Sequence, residues 1–281
     1  YVLLTLSGAN NDPLDIIFQN NGATGSAGGV TISGIECVPK RCIVNNVRGN
    51  GLGVGGIGIS LVEQEVYLAN QSNTANLAGI IVTAVGATLL RCISHDNAGS
   101  NSQGIRVTGY ADLVDCISDT NGADGIVVTS NTGASLVGCN SYNNGGDGLD
   151  LNNSAASGFY LENCNFLKNT GWGINGSGAG SRNGSIVNCG FGTGTQINSS
   201  GTTTGLSGMD ESGSINYAAD VTPWVDPVNG DFRTNLPAAI NAGRGTFTQT
   251  QPGYAGTIGY PDIGAAQHLE NTSTRSSSYV G

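Results

Sequence analysis

Apolar and polar positions alternate in short runs along this chain, and the runs recur. A Gly-Ile-x-Val element stands at Gly29-Val30-Thr31-Ile32, Gly56-Ile57-Gly58-Ile59, Gly79-Ile80-Ile81-Val82 and Gly104-Ile105-Arg106-Val107. It continues at Gly125-Ile126-Val127-Val128 and Gly148-Leu149-Asp150-Leu151 and fades at Gly173-Ile174-Asn175. Successive glycines lie 27, 23, 25, 21, 23 and 25 residues apart. A cysteine series follows the runs: Cys42, then Ala69 as a substitute, then Cys92, Cys116, Cys139, Cys164 and Cys189. An asparagine trails all but the last: Asn46, Asn73, Asn97, Asn121, Asn144 and Asn169. Period-two alternation inside each run predicts strands. A repeat of about 24 residues predicts one coil of a solenoid. The Leu-x-x-Leu-x-Leu pattern and helical half of a leucine-rich repeat are missing. The expected fold is all-β: a parallel β-helix of about seven to eight coils, three short strands per coil, stacked about 4.8 Å apart.

One coil can be laid out residue by residue. Ile126 and Val128 point inward on the first strand, Leu136 on the second, and Cys139 and Ser141 on the third. The residues before the cysteines are Arg91, Asp115, Gly138, Asn163 and Asn188, mostly types that tolerate the left-handed backbone of a tight corner. The position of Ser141 is taken by Ser94, Ser118, Phe166 and Phe191, so the interior turns aromatic toward the C-terminal end. The cysteines read as a column of small core side chains. They lack the His partners and spacing of a zinc site. Cys37 lies off the column, and a small-loop disulfide to Cys42 stays open. The asparagines read as an amide ladder at a turn.

The chain divides into entry strands (1–28), β-helix repeats (29–195), an irregular loop and cap (196–268) and a polar tail (269–281). Near the end come Gly230-Asp231-Phe232-Arg233, Leu236-Pro237-Ala238-Ala239-Ile240-Asn241-Ala242-Gly243 and Asp262-Ile263-Gly264-Ala265. This run resembles the C-terminal module of right-handed parallel β-helix proteins of bacterial and phage type, pectate-lyase-like solenoids. It departs from that module at Leu236, where Ser is usual. The resemblance implies a right-handed coil and a cap over the open end, and it implies no activity. The Ser/Thr-rich tail from His268 to Gly281 reads as a segment that needs a neighbour, most simply a second subunit, to order it.

Composition sharpens the function classes. The chain has 281 residues with 46 Gly, only 11% charged residues and 6% aromatics. The net charge is −10, which argues against nucleic acid as a partner, since phosphate binding needs clustered basic side chains. No apolar run approaches the roughly 20 residues of a membrane span. No signal peptide is recognised at Tyr1-Val2-Leu3-Leu4, and the opening reads as that of a processed product or fragment.

By resemblance, β-helix proteins of this type include polysaccharide lyases, glycoside hydrolases and phage tailspikes, with sites on an outer strand face. Hydrolysis needs two carboxylates about 5–9.5 Å apart. Asp124 and Asp147 precede the repeat glycine on adjacent coils, Asp150 projects from the next strand, and Arg106 stands on the same face. These four are the candidate catalytic set, with Ca²⁺ as the cofactor such acids could hold. A second acidic cluster is His95 with Asp96 and Asp119. Outward Ile81, Val127, Ile93 and Ile117 read as an interface. The favoured expectation is a structural subunit of a virion-surface or extracellular assembly, of phage decoration, fibre or spike type and homotrimeric. The alternatives are a carbohydrate-active enzyme, lyase or hydrolase, and a glycan-binding adhesin.

Overall fold

A computed structural model describes residues 2–7, 17–19, 28–69, 77–97, 99–129, 133–151, 158–176, 184–192, 197–198, 209–217, 223–229 and 231–235. The strands wind into three parallel sheets of nine, seven and nine members. The first sheet runs Val2–Leu6, Gly28–Ile32, Leu52–Val54, Leu77–Val82, Ser102–Val107, Ile126–Val128, Leu149–Asp150, Ile174–Asn175 and Ile197–Asn198. The second sheet starts at Ser60–Val62 and continues through Ala87–Leu90, Ala111–Val114, Ala134–Val137, Phe159–Glu162 and Gly184–Val187 to Met209–Ser212. The third contains Ile17–Gln19, Ile43–Asn45, Glu65–Tyr67, Ile93–His95, Ile117–Asp119, Asn140–Tyr142, Asn165–Leu167, Gly190–Phe191 and Ile215–Asn216. The chain visits the sheets in turn and pairs each strand with the strand one coil away, as a right-handed parallel β-helix does. Among the described residues the only helical element is a 3-10 turn at Pro227–Asn229, so no helix there is long and apolar enough to cross a membrane.

Alternation decides which side chains fill the coil. Ile80, Ile105, Ile126, Leu149 and Ile174 form one interior row, and Leu61, Leu89, Leu113, Leu136, Leu161 and Ile186 another. Every one of them is at most 1% exposed. Burying each such side chain stabilises the fold by about 1.5–3 kcal/mol.

Two corners carry left-handed residues on successive coils. Arg41, Arg91, Asp115, Gly138, Asn163 and Asn188, each just before a cysteine, all have φ between 50° and 65°. Glu63 (φ 55°) continues that column, and it precedes Gln64 rather than a cysteine. The second column is Asn46, Leu68, Asp96, Thr120, Asn143 and Lys168, with φ of 50° to 55°.

These columns correct three expectations. The cysteine column runs Cys42, Gln64, Cys92, because Ile43 pairs with Glu65 and Glu65 with Ile93. Gln64, not Ala69, replaces cysteine; its Nε2 donates to Pro39 O at 2.9 Å and Val62 O at 2.7 Å, and its Oε1 is buried without a hydrogen-bond partner. Asn46 belongs to the left-handed column; the ladder place on its coil is Val47, and on the next Ala69. The glycine in register with Gly29 and Gly79 is Gly51, since Val30 pairs with Leu52 and Leu52 with Ile80. Gly56-Ile57-Gly58 is instead a corner, with Ile57 68% exposed. Leu52 and Val54 offer the same apolar alternation five residues earlier, and they win the core. Asn73 lies outside the described residues.

A polar spine runs inside the third corner. Asn97 Nδ2 donates to Asn121 Oδ1 at 2.6 Å, Asn121 to Asn144 at 2.9 Å and Asn144 to Asn169 at 2.9 Å. The same amides donate to the inward hydroxyls of Ser94, Ser118 and Ser141 at 3.0–3.1 Å. Each hydroxyl in turn donates to the carbonyl of the glycine opening the next coil: Gly104, Gly125 and Gly148, at 2.8–2.9 Å. Where serine gives way, Phe166 and Phe191 stack with centroids 6.0 Å apart. The repeat glycines are there because the spine fills their Cβ space. A Cβ on Gly125 would sit 2.1 Å from Ser141 Oγ and 2.6 Å from Asn144 Nδ2. Gly125→Ala is therefore expected to cost about 2–3 kcal/mol; an unchanged urea midpoint would show that the spine yields.

All seven cysteines are buried thiols. The Sγ atoms of Cys92, Cys116, Cys139 and Cys164 donate to Leu61 O, Leu89 O, Leu113 O and Leu136 O one coil below, at 3.4–3.6 Å. Cys37 and Cys42 donate to Ile35 O and Lys40 O, so the small-loop disulfide does not form in this structure.

The C-terminal segment is described at one hairpin. Trp224–Asp226 and Asp231–Thr234 form an antiparallel hairpin. Trp224 and Phe232 pack edge-on against Tyr142, with Leu167, Tyr217, Ile117 and Ile215 around them. The hairpin lies on the flank of the third sheet, not over the open end, because Tyr142 points outward there and supplies the apolar footing. The Leu236–Gly243 and Asp262–Ala265 elements and the polar tail lie outside the described residues.

Candidate functional site

The first sheet presents one polar strip on its outer side. Outward residues Ile81, Arg106, Val127, Asp150 and Asn175 succeed one another coil by coil. Beside them, just before the repeat glycines, stand Gln103, Asp124, Asp147 and Trp172. Strand spacing sets Asp124 and Asp147 about 5 Å apart.

The two carboxylates are tied into the backbone. Asp124 Oδ1 accepts from the Asp147 amide at 2.8 Å. Asp147 Oδ1 accepts from the Trp172 amide at 2.6 Å, and its Oδ2 from Asn175 Nδ2 at 2.7 Å. Glycine makes the nesting possible. A Cβ on Gly146 would lie 2.2 Å from Asp124 Oδ1, and one on Gly171 2.1 Å from Asp147 Oδ1. The Asp-Gly pairs thus act as side-chain braces between coils and as the acids of the strip at once.

Burial pushes the Asp124 carboxyl above its usual range, and the Asp147 charge adds to this against the amide bond and Arg106. Burial also lowers the Arg106 guanidinium, against the charges of Asp150 and Asp124. Arg106 Nη1 donates to Gln103 Oε1 at 3.1 Å. An open depression of about 340 Å³ adjoins Asp124, lined by Ser100, Asn101, Gln103, Ala123, Gly145 and Gly146.

All four candidates from the sequence, Arg106, Asp124, Asp147 and Asp150, fall on this strip. Trp172 and Asn175 join them and were passed over. The signal for Trp172 was present, since it precedes Gly173 as Asp124 precedes Gly125. Its half-buried ring supplies an aromatic surface one coil from Asp147. Ca²⁺ does not fit: both Asp147 oxygens face N–H donors, and among the described residues no group of three acidic, imidazole or thiol ligands is arranged to hold a metal.

The interface candidates separate. Val127 is 2% exposed, which removes it from any open surface. Ile117 packs against the hairpin cluster of the chain itself. Ile81 and Ile93 are half-buried. Three exposed apolar residues stand at one corner on consecutive coils, Ile35 at 54%, Ile57 at 68% and Val85 at 60%, while Ile17 on the third sheet and Val228 beside the hairpin are exposed as well.

No family model matches the chain, and no curated protein matches it. Among solved structures it is similar to the pectate lyase Pel9A, at TM-score 0.60 and 14% identity, over 95% of this chain and 88% of that one. It is also similar to the periplasmic alginate epimerase AlgG, at TM-score 0.51 and 13% identity, over 69% of this chain. There the chain spans about half the length of the epimerase, 51%. Identities this low carry the fold alone, and with the three-sheet winding they identify that fold as a right-handed parallel β-helix.

Proposed function

We propose that this protein is an extracellular carbohydrate-active β-helix enzyme that binds a polysaccharide along the outer strip of its first sheet and hydrolyses it. The observation that carries this is the succession Asp124, Asp147, Trp172 on consecutive coils, beside Arg106, Asp150 and Asn175. A pair of acids about 5 Å apart suits the retaining mode of glycoside hydrolysis. Asp124, whose burial favours its protonated form, is the proton donor to the leaving oxygen. Asp147, oriented by Trp172 N and Asn175 Nδ2, is the nucleophile. Trp172 offers a ring face to a sugar, and Arg106 offers donors to its hydroxyls. Three carboxylates around one guanidinium favour an uncharged polysaccharide over a polyuronate. The lyase and epimerase named above are carbohydrate-active proteins on the same fold, which supports the reading at the level of class.

The test is a panel of neutral and acidic polysaccharides assayed for new reducing ends and for unsaturated products. Reducing ends without unsaturation are expected on a neutral polymer. Asp124→Asn, which keeps an acceptor for the Asp147 amide, is expected to lower kcat at least about 100-fold while the fold survives. Unsaturated products would replace hydrolysis by elimination, and an inactive wild type across the panel would overturn the enzyme reading.

A second reading, a subunit of a homo-oligomeric or virion-surface assembly, has the Ile35, Ile57 and Val85 column in its favour. Three side chains make a footprint far below the roughly 1,000 Å² expected of a stable interface. A monomeric mass in solution would remove it.

A further inference from the structure

A cluster outside the strip has chemistry the proposed reaction does not use. On the outer side of the third sheet, Asn45, Tyr67, His95, Asp119 and Tyr142 occupy one row on successive coils. His95 Nδ1 lies 2.8 Å from Asp96 Oδ2, and Nε2 lies 3.1 Å from Glu65 Oε1. The Tyr67 ring stacks on the imidazole at 5.2 Å and 24°, and its hydroxyl accepts from Asn45 Nδ2 at 2.8 Å. Asp119 follows on the next coil, with Thr120 Oγ1 at 3.3 Å from its Oδ2.

The valence of the imidazole decides what this geometry means. A neutral ring has one N–H donor and one lone-pair acceptor, whereas an ionised carboxylate only accepts. Two carboxylates on the two nitrogens are satisfied together by the imidazolium alone. We infer that His95 is a proton-linked tie between coils: protonated, it holds Glu65 of the preceding coil and Asp96 of its own at once, and deprotonated it must release one.

The surroundings reinforce the switch. The groups facing His95 are Glu65 and Tyr67 from the coil before, Asp96 from its own turn and Asp119 from the coil after, with Tyr142 beyond. Loss of the proton leaves three carboxylates facing one another without the cation. Burial pulls the imidazole down, and the bonds to Asp96 and Glu65 with the charges of Asp119 and Asp96 outweigh it, so the net direction is upward. The His95 side chain is 23% exposed, Glu65 40% and Asp96 53%, so protons reach the site from solvent. Stability from a histidine raised in this way is present below its unfolded pKa and lost as pH rises through the folded one.

The test is a proton NMR titration of the intact protein, in which His268 is the one other histidine. Wild-type His95 is expected to titrate above the ordinary value near 6.5. Glu65→Gln and Asp96→Asn are each expected to weaken proton binding at least about threefold, half a pH unit. The Asp96 amide, which donates to Asp119 O at 3.2 Å, is expected to exchange faster with solvent above the His95 midpoint. A wild-type midpoint at or below 6.5, or one that neither substitution moves, overturns the inference.

Discussion

Replacing Asn144 by alanine is expected to lower the unfolding free energy by about 3–5 kcal/mol. The side chain has five polar partners in the buried spine. The two hydrogens of its Nδ2 are shared among Ser118 O, Ser141 Oγ and Asn169 Oδ1. Its Oδ1 accepts from the Asn121 amide at 3.0 Å and from Asn121 Nδ2 at 2.9 Å. Truncation leaves the Asn121 amide and the Ser118 carbonyl buried without these partners, and opens a gap no neighbour is placed to fill. Asn144→Asp separates hydrogen bonding from volume. It keeps the shape but turns an acceptor toward Asn169 Oδ1, so it is expected to be at least as damaging at neutral pH. Asn143→Ala is the control, since that side chain is exposed and its loss removes one long solvent-exposed hydrogen bond to Thr120 Oγ1 and a residue suited to the left-handed corner, about 1 kcal/mol. Equal denaturant midpoints for the variants at 143 and 144 would mean that the ladder contributes nothing beyond the strands.

The second large effect concerns pH. Burial pushes the Asp115 carboxyl up to about 7 and Asp119 up to about 6, in each case against a neighbouring cation, Arg91 or His95. An unfolded aspartate titrates near 3.9. Between that value and the folded one the native state holds more protons than the unfolded state, so stability falls as pH rises. Asp115 alone is expected to account for about 2–4 kcal/mol lost between pH 4 and pH 8. His95 acts in the same direction at the upper end of the range. The melting temperature is therefore expected to decline from mildly acidic to mildly alkaline pH, where carboxylates paired with cations would make it rise. Asp115→Asn is expected to flatten the decline and raise the melting temperature at pH 8; a steeper decline in that variant would contradict the assignment.

Periodicity carried most of the fold. A glycine before an alternating apolar pair, a cysteine and an asparagine, repeated at near-constant spacing, leave little but a β-solenoid. The errors fell where a coil offers two registers. The stretch 51–58 contains two Gly-led apolar pairs, and only packing against Val30 and Ile80 chooses the first. Gln64 was invisible as a core residue because an isolated amide reads as surface until Pro39 O and Val62 O are seen to accept from its Nε2. The candidate site was half legible. The acids could be placed by counting from the repeat glycine. That they brace the backbone, and that Trp172 completes the row, required knowing which coil faces which. The Glu65 and Tyr67 partners of His95 sit 30 and 28 residues earlier in the chain, a distance no local pattern spans.

The asparagine ladder gives the molecule a direction. Along the ladder Asn97, Asn121 and Asn144 each donate to the asparagine oxygen on the C-terminal side, and Asn121, Asn144 and Asn169 accept from the N-terminal side. Hydrogen bonds aligned this way polarise one another, so each added coil strengthens those already formed. The two ends of the solenoid are consequently unlike. At the N-terminal side the chain ends on a backbone N–H, that of Ala69, donating to Asn97 Oδ1 at 2.8 Å. A duplicated coil inserted within the ladder extends it without reversing a bond, whereas a coil appended in the opposite sense meets donor with donor. Such a structure lengthens by tandem repetition far more readily than by mirror joining.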